Sequence, residues 1–207
     1  GVITLVSKGV RKKNSKWAGI LQCFQPLELS FSGRSELKTL TGAALLSNGV
    51  TLTGMKLYCG FYLNELLNCF LHKQDAHPEV FEDYRQCLIQ LATASSVESV
   101  LRIFELTLLE KLGYGLQLEN DSVTERPIDP DKHYEYVREI GPVQTTGKGF
   151  SGKSLIALRK KILNDELVRK EAKQLMRQLI DFHLQGRELK SRVLMSQFIR
   201  QQSLVTR

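Results

Sequence analysis

The apolar positions of the chain follow a period of two near its start and a helical period over most of the rest. In the first forty residues they alternate over short runs, which predicts β-strands. The predicted strands are residues 2–6, 20–24, 27–31 and 37–40. Pro26 and the turn at residues 32–35 separate the later runs. Several short strands at this spacing are typical of a small barrel.

The chain begins with Gly1 rather than with Met, and it begins inside the first predicted strand. A barrel built only from the predicted strands would have an unpaired edge, which natural sheets generally protect. We therefore expect further residues to precede Gly1.

Residues 45–118 carry the helical period. Apolar stripes predict helices at residues 57–71, from Pro78 onward, and at residues 97–112. The buried stripe of the second helix is predicted to be Val80, Phe81, Tyr84, Cys87, Leu88 and Leu91. The third helix has so broad an apolar face that neighbouring elements must cover most of it. We expect the three helices to cover one another.

The last third of the chain begins with a polar segment at residues 119–150, rich in Pro, Gly and acidic residues. Helical patterns follow at residues 154–162, 166–184 and 189–199. The pattern as a whole predicts an α+β protein with a strand-rich part at residues 1–48. A helical part at residues 49–207 carries the polar segment as an insertion.

The charge is unevenly distributed along the chain, and this distinguishes the predicted parts by function. The net charge is +7, with +6 in residues 1–60, −4 in residues 61–118 and +5 in residues 119–207. A basic first segment next to an acidic helical middle indicates a polyanion-binding surface confined to one module.

Neither export nor membrane insertion is supported by the sequence, since it has no run of eighteen apolar residues and no segment like a signal peptide. The four cysteines lie singly in apolar contexts, without CxxC pairs. We expect buried free thiols in a cytoplasmic protein.

Five cations occupy a predicted loop between the first two strands: Lys8, Arg11, Lys12, Lys13 and Lys16. Their predicted role is to neutralise phosphates, which gives affinity but little sequence preference. Arg34 and Lys38 on the next hairpin would extend the groove. A solubilising loop is the alternative. Trp17 and Phe24 could stack on bases, although core packing is the commoner role of such residues.

The helix at residues 97–112 has a charged edge formed by Glu98, Arg102 and Glu105. One interpretation is a solvated ladder of charges, each pair adding a few tenths of a kcal/mol. The other is that Arg102 receives a carboxylate from a partner. Ser95 and Glu98 form a predicted capping box for this helix.

Residues 147–154, GKGFSGKS, match the Walker A pattern GxxxxGK[ST], in which Lys153 would contact nucleotide phosphates. The context argues against a P-loop, because Pro142 interrupts the preceding segment and residues after 154 read as helix. The alternative is that Ser151 caps the following helix. No other catalytic signature is recognisable, so we expect no enzyme activity and no cofactor.

Four stretches in this order resemble the bacterial recombination-repair proteins of the RecO family. They are LVSKGVRKKNSKWAGILQCFQPLELSFSGRSELKTL, LYCGFYLNELLNCFL, LRIFELTLLEKLGYG and GRELKSRVLMSQFI. The resemblance implies an N-terminal OB-fold, incomplete here, followed by a helical domain. It implies a non-enzymatic, nucleoid-associated mediator that binds single- and double-stranded DNA and anneals complementary strands.

The resemblance also implies three protein partners. RecO proteins act with RecR and help RecA to replace the single-strand-binding protein SSB on DNA. The acidic tail of SSB docks on the helical domain in the family, and Arg102 matches the position that we assign to this contact. The five cations of the first loop match the region associated with DNA. Many members carry a four-cysteine zinc module where this chain has residues 119–150 without cysteine, so we expect no structural metal.

Overall fold

A computed structural model describes residues 1–10, 15, 17–73 and 75–205 of the protein. The described residues form an α+β fold, as predicted, with two three-stranded sheets and six helices. The strands are β1 (Thr4–Val6), β2 (Leu27–Ser32), β3 (Leu37–Leu45), β4 (His133–Val137), β5 (Gly141–Thr145) and β6 (Phe150–Ser151). The helices are α1 (Gly54–Phe70), α2 (Pro78–Thr93), α3 (Val97–Lys111), α4 (Gly152–Arg159), α5 (Glu166–His183) and α6 (Lys190–Val205).

The chain divides into two compact units that interleave along the sequence. Unit 1 comprises Gly1–Phe81, Leu88–Thr93 and Leu189–Arg207, and unit 2 comprises Glu82–Cys87 and Ala94–Glu188. Helix α2 contributes residues to both. The boundary expected near residue 48 stays a prediction, because compact units reflect contacts and not independent folding.

The first sheet belongs to unit 1 and has the strand order β1-β3-β2. Strand β1 runs parallel to β3, whereas β2 runs antiparallel to it with a bulge between Ser30 and Phe31. This small open sheet is consistent with an incomplete OB-fold. The strand predicted at residues 20–24 is wrong, because the amides of Ile20 and Leu21 bond to the carbonyl oxygen of Trp17 at 3.0 and 2.9 Å and form turns.

Helix α1 packs against α6 in unit 1. The carboxylate of Glu65 on α1 accepts hydrogen bonds from the backbone amides of Lys190 and Ser191, at 2.9 and 2.8 Å, and from the Ser191 hydroxyl at 2.5 Å. Burial opposes ionisation of this carboxyl group, but the bonds from Ser191 and Lys190 outweigh it and lower the pKa of Glu65. Glu65 therefore acts as a tertiary cap for the first turn of α6.

Helix α2 begins at Pro78, as predicted. Four members of its predicted stripe are buried: Val80, Cys87, Leu88 and Leu91. The prediction is wrong for Phe81, which is 60% exposed. Phe81 lies seven residues before the buried Leu88 and so points in nearly the same direction, which shows that the helical period alone does not decide its burial.

Unit 2 is built around α5, which packs against both α3 and α4. Its residues Ala172, Leu175, Met176 and Leu179 are buried, but Leu167 in the first turn is exposed. The predicted capping box is also wrong. The N-cap of α3 is Ser96, and Glu98 pairs with Lys173 of α5.

The segment predicted as a polar excursion contains a second sheet, with the strand order β5-β4-β6 and antiparallel pairing throughout. Its organising residue is Asp121, which is only 2% exposed. One oxygen of its carboxylate accepts hydrogen bonds from the amides of Val123 and Thr124 at 3.0 and 2.7 Å. The other accepts from the amide of Gln144 on β5 at 2.6 Å. Asp121 thus ties its own turn to the sheet.

Two further features concern membrane-spanning helices and the cysteines. Within the described ranges, no helix has the length and apolar character needed to cross a membrane. Cys59 and Cys87 are buried free thiols, as expected, but Cys23 is exposed, which corrects the prediction for that residue.

Candidate nucleic-acid interface and partner site

The cations predicted to bind DNA lie only partly within the described residues. Arg11, Lys12, Lys13 and Lys16 lie outside them. Lys8 is exposed just after β1, and Arg34 is exposed in the turn between β2 and β3. Because Thr4 pairs with Leu37 in the parallel β1–β3 ladder, Arg34 lies near the beginning of β1 and Lys8 lies beyond its end. The two cations therefore lie toward opposite ends of that short strand.

Lys38 is partly committed to its own hairpin. Its ammonium nitrogen lies 3.4 Å from the carbonyl oxygen of Gly33 and 3.5 Å from that of Ser35. It also lies 6.0 Å from the centre of the Phe31 ring. Phe31 is 41% exposed on the same sheet. An exposed ring beside a cation is the combination that stacks on a base while neutralising its phosphate.

Sequence reasoning did not single out Phe31. The available signal was the alternation of Leu27, Leu29 and Phe31 along β2, which places Phe31 on the sheet and not in a turn. By contrast, Phe24 is half-buried and packs against residues of unit 1. Its ring lies 5.7 Å from that of Phe61, and it approaches Gly60 so closely that a Cβ there would lie 2.7 Å from the Phe24 ring.

Arg102 and Glu105 form a buried ion pair on α3. Their side chains are 9% and 1% exposed. The interpretation of a solvated charge ladder is therefore wrong for this pair, although the i,i+3 contact itself is made. Such a pair costs desolvation energy, and removing one partner leaves an uncompensated buried charge.

The guanidinium group of Arg102 retains donor capacity. Its Nε is buried and has no hydrogen-bond partner among the described residues. An unpaired N–H of this kind costs free energy unless an acceptor reaches it. Because this nitrogen has almost no exposed area, the guanidinium group is packed inside unit 2 and pairs with Glu105.

The Walker A match does not form a P-loop. Strand β5, which precedes it, pairs antiparallel with β4, whereas a P-loop follows a buried parallel strand. Ser151 is the N-cap of α4, and its hydroxyl accepts a bond from the amide of Ser154 at 3.2 Å, as the alternative predicted. The Glu171 carboxylate accepts from the Ser151 amide at 2.9 Å and from its hydroxyl at 2.8 Å. Glu171 thus accepts from both donors of the N-cap residue.

The glycines of the motif serve packing. A Cβ on Gly149 would lie 2.6 Å from the carbonyl oxygen of Tyr134, and one on Gly152 would overlap that of Asp129. Both glycines permit close contact between backbone segments of unit 2. Lys153 is exposed.

In the part of the chain that the structure describes, no group of three or more His, Cys, Asp or Glu residues is placed to hold a metal ion. At residues 119–150, the hydrogen bonds of Asp121 hold the second sheet together.

Comparison of the sequence with known proteins identifies its family. Residues 52–193 match the family described as "Recombination protein O C terminal". The chain belongs to the RecO family. A "DNA repair protein RecO" from Methylococcus capsulatus is 44% identical over 196 residues, which cover 94% of this chain and 81% of the relative.

Other RecO relatives match over a similar span. Proteins of the same description from Aromatoleum aromaticum and Haemophilus influenzae (strain 86-028NP) are 41% and 39% identical, respectively. The first match covers 93% of this chain and 82% of the relative, and the second covers 96% and 86%. The RecO match therefore includes the first sheet as well as the helices.

Proposed function

We propose that the protein acts in DNA repair and homologous recombination as a DNA-binding mediator without a catalytic step. The observation that carries the proposal is the similarity to DNA repair proteins named RecO over 94% of the chain. The N-terminus of α4 supports the absence of a nucleotide-driven step, because the amides of Ser151, Gly152 and Ser154 already donate to Glu171, to the Lys132 carbonyl oxygen and to the Ser151 hydroxyl.

The proposed DNA surface lies on the first segment. It consists of Lys8, Arg11, Lys12, Lys13, Lys16, Arg34 and Lys38. The exposed Phe31 adds a stacking surface next to Lys38. Phosphate contacts of this kind bind single- and double-stranded DNA without reading sequence.

Strand annealing follows from such a surface without an active site. Two complementary strands repel each other through their phosphates, and a basic protein surface lowers this repulsion while the bases pair. The first segment is suited to this role because its net charge is +6.

A second contact would bring the protein to coated DNA. The acidic tail of SSB is the proposed ligand of Arg102, whose guanidinium donors would reach a tail carboxylate once the side chain turns outward from Glu105. RecR and, indirectly, RecA are the further proposed partners. A protein with these partners works in the cytoplasm, associated with the nucleoid.

The two contacts can be tested separately. Arg102→Lys keeps a cation next to Glu105 but lacks the guanidinium fork. We expect it to weaken binding of an SSB-tail peptide at least about tenfold while DNA affinity stays within about twofold. Equal loss of both affinities in a folded variant would contradict the separation of the sites.

Charge reversal at Lys12 and Lys13 tests the DNA surface. Removing two phosphate contacts should reduce the salt dependence of duplex binding, the slope of log affinity against log salt, by about 2. An unchanged slope would exclude the loop from the DNA site.

An ATP titration with Lys153→Ala as the control tests the competing P-loop hypothesis. Saturable binding that depends on Lys153 would favour the enzyme.

A further inference from the structure

The segment from residue 147 to residue 177 is the most basic part of unit 2. It holds nine Lys and Arg residues against three Asp and Glu residues. It runs through α4 and α5, which pack against each other, so the excess charge lies on one pair of helices. The DNA surface proposed above does not include this segment.

Two of the three acids are committed to helix ends. Asp165 is the N-cap of α5 and accepts a hydrogen bond from the amide of Val168 at 3.1 Å. Glu171 accepts from Ser151 at the start of α4. Only Glu166 remains exposed without such a partner among the described residues. The basic character of the surface is therefore stronger than the composition suggests.

The cations divide into two groups. Four are committed within the protein. Lys161 binds Glu110 at 2.8 Å, Lys173 pairs with Glu98, Arg177 lies 3.7 Å from Asp181, and Arg169 donates to the carbonyl oxygen of Asn164 at 2.5 Å.

The other five are exposed, and their side chains make no ion pair or hydrogen bond with any described residue. They are Lys148, Lys153, Arg159, Lys160 and Lys170. We call these five residues the α4–α5 basic surface. A solvent-exposed cation that forms no internal pair can bind an external anion without first breaking a contact.

The positions of these cations suit an extended anion. Lys153 and Lys160 are seven residues apart, which places them on one face at about 10 Å along the axis of α4. That length spans about three nucleotides of one strand at roughly 3.4 Å each. The hydrogen bond that Ser151 donates to Glu171 brings the part of α5 that carries Lys170 near the beginning of α4, which carries Lys153.

We propose that the α4–α5 basic surface is a second DNA-contacting site, which binds the sugar–phosphate backbone without reading sequence. The proposal rests on the proposed function for the class of partner, since DNA is the polyanion concerned. Four of the five cations are lysines, whose compact mobile charges suit phosphates in varied positions. With one site in each unit, a single chain would contact two strands, or two segments of one strand.

The test compares two triple variants of the full chain. Lys153→Gln/Arg159→Gln/Lys160→Gln removes three uncommitted cations. The matched control, Lys161→Gln/Lys173→Gln/Arg177→Gln, removes the same charge from cations that already have partners. Duplex affinity is measured by fluorescence anisotropy between 50 and 200 mM salt (roughly the range in which phosphate contacts dominate), and thermal unfolding verifies that both variants are folded.

The first variant should bind duplex DNA at least about tenfold more weakly at 100 mM salt, with its salt slope reduced by about 2 to 3. The control should lose less than about threefold. Equal losses in the two variants would reveal a general effect of net charge and overturn the proposal. Unchanged DNA binding by the first variant would also overturn the proposal. So would a first variant that binds an acidic peptide more weakly but binds DNA as well as the wild type does.

The failure of this inference can be distinguished from failure of the proposed function. If the Lys12 and Lys13 reversal weakens DNA binding while the first triple variant does not, the proposed function stands and the second site is excluded. If neither variant weakens binding, both proposals fail. Annealing gives an independent readout, since a second site predicts a slower annealing rate for the triple variant even when the DNA concentration saturates binding.

Discussion

The carboxylate of Glu171 on α5 accepts two hydrogen bonds from Ser151, one from its amide at 2.9 Å and one from its hydroxyl at 2.8 Å. This contact joins two helices of unit 2 and neutralises the positive end of α4. In a sequence that matches a phosphate-binding loop, it also commits both donors of the N-cap residue to a carboxylate of the protein itself.

Glu171→Gln should therefore destabilise the protein by about 1 kcal/mol, because a neutral amide interacts more weakly with the helix terminus and with both donors. Urea denaturation at pH 7 measures the change in the free energy of unfolding. Glu166→Gln is the matched control, since it removes the same charge from an exposed position on the same helix. A control as destabilised as Glu171→Gln would indicate that net charge, and not the contact, is responsible.

Asp121→Asn should lower the free energy of unfolding at pH 7 by about 2 kcal/mol, since it removes a charged acceptor from several hydrogen bonds. Burial opposes ionisation of Asp121, but the bonds from Thr124, Gln144 and Val123 outweigh it, and the pKa of the folded carboxyl group is lowered. The stabilisation is therefore present above the unfolded pKa of about 3.9 and is lost as pH falls through the lower folded value.

Denaturation curves from pH 3 to pH 7 (roughly the range that spans the unfolded pKa) should accordingly show the wild-type and Asp121→Asn proteins converging toward the acidic end. Asp131→Asn, an exposed change in the same segment, should follow the wild type throughout. A difference between Asp121→Asn and the wild type that does not depend on pH would mean that the charge of the carboxylate contributes nothing.

Glu65→Gln should loosen the beginning of α6. The carboxylate satisfies the amides of Lys190 and Ser191, which have no partners inside the helix. We expect a loss of about 1 to 2 kcal/mol and faster hydrogen exchange in the first turn of α6. Exchange measured by mass spectrometry resolves that turn. Glu28→Gln on β2 is the control, and it should leave the first turn of α6 protected from exchange. Equal exchange of that turn in the two variants would refute the capping role of Glu65.

Gly60→Ala should destabilise the protein by about 1 to 3 kcal/mol, although alanine is the better helix former. The added Cβ would lie 2.7 Å from the Phe24 ring and 2.8 Å from a methyl group of Leu52. Gly19→Ala is the control, because a Cβ there meets no atom within 4 Å. Thermal unfolding of both variants decides the matter, and a neutral Gly60→Ala would show that Phe24 moves aside without cost.

Several features could be predicted from the sequence because they depend on neighbours along the chain. The helical period located α1, α2, α3 and α5 to within a few residues, and Pro78 marked the beginning of α2. The basic segments and the RecO resemblance also follow from the order of residues alone. A period specifies which residues share a face, and this is enough to predict an element and its buried side.

The tertiary structure decided how the charged residues are used. A sequence pattern cannot show that Glu65, Glu171 and Asp121 accept bonds from distant amides, or that Arg102 and Glu105 are buried together. The same limit applies to Phe31, whose exposure depends on what the open first sheet leaves uncovered. The physical reason is that the energy of a charge depends on its solvation and on partners brought close by folding, and neither is encoded in local spacing.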